Sequence, residues 1–198
     1  ARFSMAVVLA VQDYCLHRAR RAFKTKDKLF WLYTGFYVVV NTMAFLRPSE
    51  LPKCTLHGIW SHCFTGRRAS NLNLTRQYVG ISFGEMVVTA RGRRTIGAHT
   101  KVSRKGQKYD ADLRGSDVVI VARAANGLCP GYIANKIFQL RGIPSDTLVW
   151  PSTISRLEPL LLDDNSSKML SSGRMDSLLT RVRRVLLSLQ QKVHPDLA

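Results

Sequence analysis

A chain of 198 residues with 45% apolar side chains is long enough to bury a packed core and too apolar to be a disordered tail. Thirty Lys and Arg against thirteen Asp and Glu give a formal charge of +17, a balance foreign to ordinary soluble enzymes and suited to a polyanionic partner. Four irregularly spaced cysteines, Cys15, Cys54, Cys63 and Cys129, argue against a disulfide-stapled secreted scaffold and for a reducing compartment.

Residues 1–28 open with an apolar run from Met5 to Val11 and pass into Arg18, Arg20, Arg21, Lys24, Lys26 and Lys28, which predicts a helix with a basic end. Residues 29–46 follow as eighteen uncharged positions, a length at the threshold for a membrane span. Thr34, Gly35, Asn41 and Thr42 dilute that run, so a core helix or a buried strand is the alternative, and the preferred reading. Pro48 and Pro52 then break the chain, and residues 53–61 read as loop.

Residues 77–82 and 86–90 read as a β-hairpin closed by a turn at Phe83-Gly84-Glu85, and residues 101–108 as a basic loop. The run Val118-Val119-Ile120-Val121 predicts a buried strand over 117–122. After turns at Asn126-Gly127 and Pro130-Gly131, a short helix over 132–140 is expected to end at Gly142 and Pro144. A further strand over 148–150, an exposed linker over 163–173 and an amphipathic helix over 174–193 complete the chain. In that last helix Arg181, Arg183 and Arg184 fall mainly off the apolar stripe.

The expected fold class is therefore α+β, a small β-hairpin or sheet core with basic loops, flanked by N-terminal helices and a C-terminal amphipathic helix. It divides into a helical extension over 1–50, a basic α+β core over 51–150, and a linker with the amphipathic helix over 151–198.

The densest charge lies between residues 66 and 109. There Arg67, Arg68, Arg76, Arg91, Arg93, Arg94, Lys101, Arg104, Lys105 and Lys108 face a single acid, Glu85. Ten cations so poorly balanced repel one another unless a polyanion lies against them, and nucleic acid carries the densest array of phosphates. Arginine can grip phosphate with two parallel hydrogen bonds and stack on bases. Ser70, Asn73 and Thr75 add donors and acceptors for phosphate or ribose oxygens. Tyr78 and Tyr109 suit either base stacking or core packing.

Within this stretch Cys63-Phe64-Thr65-Gly66-Arg67-Arg68, Ser70-Asn71-Leu72-Asn73-Leu74-Thr75-Arg76, Val88-Thr89-Ala90-Arg91-Gly92-Arg93-Arg94-Thr95-Ile96 and Arg104-Lys105-Gly106-Gln107-Lys108-Tyr109 occur in order. Together they resemble the large-subunit ribosomal protein twenty-eight family of bacteria and organelles, with the Val88 to Ile96 block the nearest match. The family's Pro-Asn-Leu after the basic loop is missing, and residues 1–50 and 110–198 have no counterpart in a compact bacterial member. The resemblance implies a structural constituent of a ribosome, in the mitochondrial matrix and its large subunit, with rRNA and neighbouring ribosomal proteins as partners. It implies no cofactor and no enzymatic turnover. The alternative reading is an accessory subunit of an organellar membrane complex anchored by residues 29–46.

Cys54, His57, His62 and Cys63 have the chemistry of a zinc site, but adjacent His62 and Cys63 make ligation of one ion awkward, so no metal is expected. No phosphate-binding glycine loop, nucleophile elbow or zinc-protease motif occurs in the chain.

Overall fold

Val7, Val8, Val11, Cys15 and Ala19 recur at three- and four-residue spacing, and all are buried on helix α1, Met5–Arg21. Ser4 caps its start, its hydroxyl accepting from the Val7 amide at 3.4 Å. The computed structural model of the chain describes residues 4–46, 51, 54–64, 78–81, 85–89, 92–96, 118–144, 149–160, 162–163, 166–169 and 172–193.

The expected basic-ended helix over residues 1–28 is shorter, and Lys26 and Lys28 belong to the next helix. Helix α1 stops at Arg21, and Ala22, Phe23 and Lys24 reverse the chain into helix α2, Thr25–Ala44. The reversal lets the apolar run of α2 pack back along the apolar face of α1. The cations between Arg18 and Lys28 are thereby split between the end of one helix and the start of the next.

Nine consecutive residues of α2, Leu32 to Val40, are buried, so this helix is enclosed rather than amphipathic. It packs against α1, against helix α4, Pro130–Leu140, and against strand β4, Val118–Val121. Three of its polar side chains donate within the helix, while Asn41 Oδ1 is buried without a hydrogen-bond partner. Thr34 and Thr42 donate to the carbonyls of Phe30 and Val38, each at 2.8 Å, and Asn41 donates to that of Tyr37 at 2.7 Å. Gly35 admits α1: a Cβ there would lie 3.1 Å from the Cβ of Cys15. Residues 29–46 are thus a core helix, and no helix among the described residues is long and apolar enough to cross a membrane.

Helix α3, Leu56–Phe64, replaces the expected loop over 53–61. Its signal was short but present: Leu56, Ile59 and Trp60 share one buried face, and the Thr55 hydroxyl accepts from the Gly58 amide at 2.9 Å. Helix α4 matches expectation, with Pro130 in its first turn. It ends at Gly142, whose φ of 79° suits glycine, while the amide of Ile143 bonds back to Phe138 O at 2.9 Å.

The β structure consists of two-stranded antiparallel pairs and does not form the core. Strand β1, Tyr78–Ile81, pairs with β4 rather than with the following strand. Strand β2, Glu85–Thr89, pairs instead with β3, Gly92–Ile96, and β5, Leu162–Asp163, with β6, Ser166–Met169. The hairpin expected between 77–82 and 86–90 is therefore corrected. Uncharged β1 aligns with the Val- and Ile-only strand β4, and the arginine-bearing β3 is left to pair with β2.

The expected linker over 163–173 is occupied by β5, β6 and the start of helix α5, Ser172–Val193. Residues 149–150 form no strand. Instead Trp150 is buried edge-on to Trp60, ring centres 5.2 Å apart, and donates its indole N–H to Ile154 O at 2.7 Å.

Two polar pins lock segments distant in sequence. Gln12 on α1 accepts from the Cys129 amide at 2.8 Å and donates to Gly127 O at 3.0 Å, holding the turn before α4. Arg141, at the end of α4, donates to Tyr33 Oη at 2.6 Å, Glu158 Oε1 at 2.9 Å, Leu160 O at 3.1 Å and Pro159 O at 3.2 Å. Its side chain is only 7% exposed, so these four acceptors replace the water it has lost.

The tightest backbone approach is at Gly131, where an added Cβ would come within 2.5 Å of the Cβ of Ala122. Gly131→Ala should gain roughly 1 kcal/mol in helix propensity and lose more to that overlap, for a net destabilisation of about 1–2 kcal/mol. Urea unfolding reads the difference; an unchanged or raised midpoint would contradict this packing.

Candidate nucleic-acid interface

Helix α1 packs on α5 as well as on α2, and Val182 of α5 is buried. This brings the end of α1, the start of α2 and the arginines of α5 to one side of the fold. An aromatic strip joins them. Tyr14 of α1 meets Trp31 of α2 edge-on, ring centres 5.6 Å apart, and Trp31 meets Phe30 at 5.1 Å.

Arginines from the two outer helices sit on this strip. The guanidinium carbon of Arg18 lies 5.0 Å from the centre of the Trp31 ring, and that of Arg181 lies 5.4 Å from the centre of the Phe30 ring. Stacking holds a guanidinium by its face and leaves its in-plane N–H groups directed outward, the geometry that grips phosphate. Arg18, Arg20, Arg21, Lys24, Lys26, Arg181, Arg183 and Arg184 are all exposed, and Lys28 is half-buried.

The cations of α1 have a structural reason to be there. Arg18, Arg20 and Arg21 occupy its last turn, where the helix dipole is negative. Those of α2 do not. Lys24 is its N-cap, Lys26 and Lys28 follow, and Asp27 is the acid of its first turn. Positive charge at a helix N-terminus opposes the dipole and disfavours the helix by roughly 0.3–1 kcal/mol per group at low salt. Lys24 also makes no side-chain cap to the first amides. The dipole of α2 does not account for Lys24.

Most of the residues expected from the sequence to bind RNA, namely Arg67, Arg68, Ser70, Asn73, Thr75, Arg76, Arg91, Lys101, Arg104, Lys105 and Lys108, lie outside the described residues. Arg93 and Arg94 lie on β3, in register with Val88 and Val87 of β2. The junction cations were legible as a basic run in the sequence. What the sequence hid was the chain reversal at Phe23, which folds one run into two opposed helix ends.

Several other reactive groups among the described residues are buried. Burial pushes the Cys15 thiol up to about 12, so it is protonated at neutral pH and no nucleophile. Burial raises the Tyr33 hydroxyl, an effect opposed by the neighbouring Arg141 guanidinium. Cys54 is buried, and His57 stands edge-on to Trp150 at 4.8 Å. His62 and Cys63 lie on α3, and no grouping of metal-ligand side chains occurs among the described residues. Compared with protein families, curated proteins and solved structures, the chain matches none.

Replacing Lys24 by Asp removes a charge that opposes the dipole and supplies the missing cap, so Lys24→Asp should stabilise the protein by about 1–2 kcal/mol at low salt. Urea unfolding at low and high salt measures this. A destabilised variant would mean that Lys24 serves the fold.

Proposed function

We propose that the protein is an RNA-binding structural component of a ribonucleoprotein, and that the junction between α1 and α2, together with the arginines of α5, is one of its phosphate-binding surfaces. The observation that supports this best is the run of exposed cations where α1 ends and α2 begins, Arg18, Arg20 and Arg21 followed by Lys24, whose charge opposes the dipole of α2. A surface that lowers stability in the free protein is relieved when polyanion covers it. Residues 66–109, with their ten cations, form the second basic stretch.

The mechanism is neutralisation and positioning. Lysines act as mobile point charges, stacked arginines as fixed forks, and the helical core keeps the two sets in one place. No bond in a substrate is made or broken. The ribosome, and within it the mitochondrial large subunit, is the particle we infer from the resemblance over residues 63–109. Its rRNA and neighbouring proteins would then be the partners. The membrane-anchored alternative was motivated by residues 29–46, of which Leu32 to Val40 are buried in the fold.

Neutralising about six phosphates at the junction alone gives a slope of about −4 in log affinity against log salt for single-stranded RNA. Filter binding or anisotropy over a salt series checks it, and exchanging any one junction cation for Ala should reduce the slope by about 1. A slope shallower than about −1, or no binding at low salt, contradicts the reading. Sedimentation with the large subunit, abolished by RNase, tests the particle.

A further inference from the structure

Phe23 stands at the apex of the junction with 99% of its surface exposed, in a short connection flanked by Arg20, Arg21, Lys24 and Lys26. Nothing among the described residues requires a phenylalanine there. Ala22 and Lys24 are both extended, and the hydrogen bonds that end α1 and begin α2 are made by the backbone of Ala22, Arg18, Lys24, Asp27 and Lys28. A fully exposed ring in water is unfavourable, and a small polar residue would serve the turn as well.

We propose that Phe23 is a stacking platform for an unpaired nucleobase, a binding role that rests on the RNA-binding reading above. The surroundings select this ligand over other apolar ones. Insertion into a lipid surface needs a contiguous apolar face, and docking of a protein needs a patch of several apolar side chains. Phe23 instead has charged or small neighbours, and the buried face of α1 is turned into the core. A nucleobase needs one ring of its own size, with cations close by to hold the phosphates on either side of it. Phe23 offers that ring, and Arg20, Arg21, Lys24 and Lys26 offer those cations.

The stacked base must come from a single strand, a bulge or a loop, because bases within a duplex have no free face. The test compares wild type, Phe23→Leu and Phe23→Trp on a short unpaired oligonucleotide and on a hairpin duplex with the same number of phosphates. Thermal unfolding checks that each variant keeps the fold, as full exposure of the position leads us to expect. Phe23→Leu should weaken binding to the unpaired strand about ten-fold, with the salt slope and the affinity for duplex unchanged. Phe23→Trp should retain or tighten unpaired binding.

Equal affinity of Phe23→Leu and wild type for the unpaired strand, with a steep salt slope in both, overturns the stacking role and leaves the RNA-binding reading standing. Equal losses on unpaired strand and duplex also overturn it. A flat salt slope or absent binding in wild type overturns both. Flotation with phosphatidylserine vesicles that depends on Phe23, without a Phe23 effect on RNA, assigns the ring to lipid and overturns the proposal.

Discussion

The structure depends on the enclosure of one helix. With Leu32 to Val40 buried on every face, α2 must be covered by α1 on one side and by α4 and β4 elsewhere, and each covering contact leaves a mark in the sequence. Gly35 makes room for Cys15 of α1, Gly131 lets the two covering elements α4 and β4 meet at Ala122, and the threonines and Asn41 of α2 donate their hydrogen bonds to their own helix. Burying a helix so completely is favourable only if few polar groups within it are stranded, and Asn41 Oδ1 is the exception on α2 among the described residues.

Enclosure also determines where charge can go. Since α1 and α2 must lie antiparallel to cover one another, the end of the first and the start of the second are forced together at the edge of the core. Cations are welcome at the first of these ends and unwelcome at the second. The chain nevertheless places Lys24, Lys26 and Lys28 at the second, beside arginines fixed on Trp31 and Phe30. Helix dipole and surface charge therefore pull in opposite directions at Lys24.

How much was legible in the sequence varied with the length and regularity of the signal. The amphipathic α5 and the glycine-terminated α4 were plain, because several turns of apolar spacing and a stop residue agreed. The valine run Val38-Val39-Val40 suits strand and helix alike, and burial, not propensity, decides for helix. Strand pairing was misread because local order suggested a hairpin, whereas β1 finds its apolar partner some forty residues later in β4. Helix α3 has little more than two turns of pattern. The basic run at residues 18–28 was visible as charge, but its reversal was not, for Ala22 and Phe23 carry no turn signature.

The most direct test of the central claim is ultraviolet cross-linking of the full chain to RNA, followed by mass-spectrometric mapping of the joined peptides. Cross-links within residues 18–31 and around Arg181, lost in high salt, are the predicted result. Cross-links confined to other segments, with the junction peptides recovered unmodified, would contradict it.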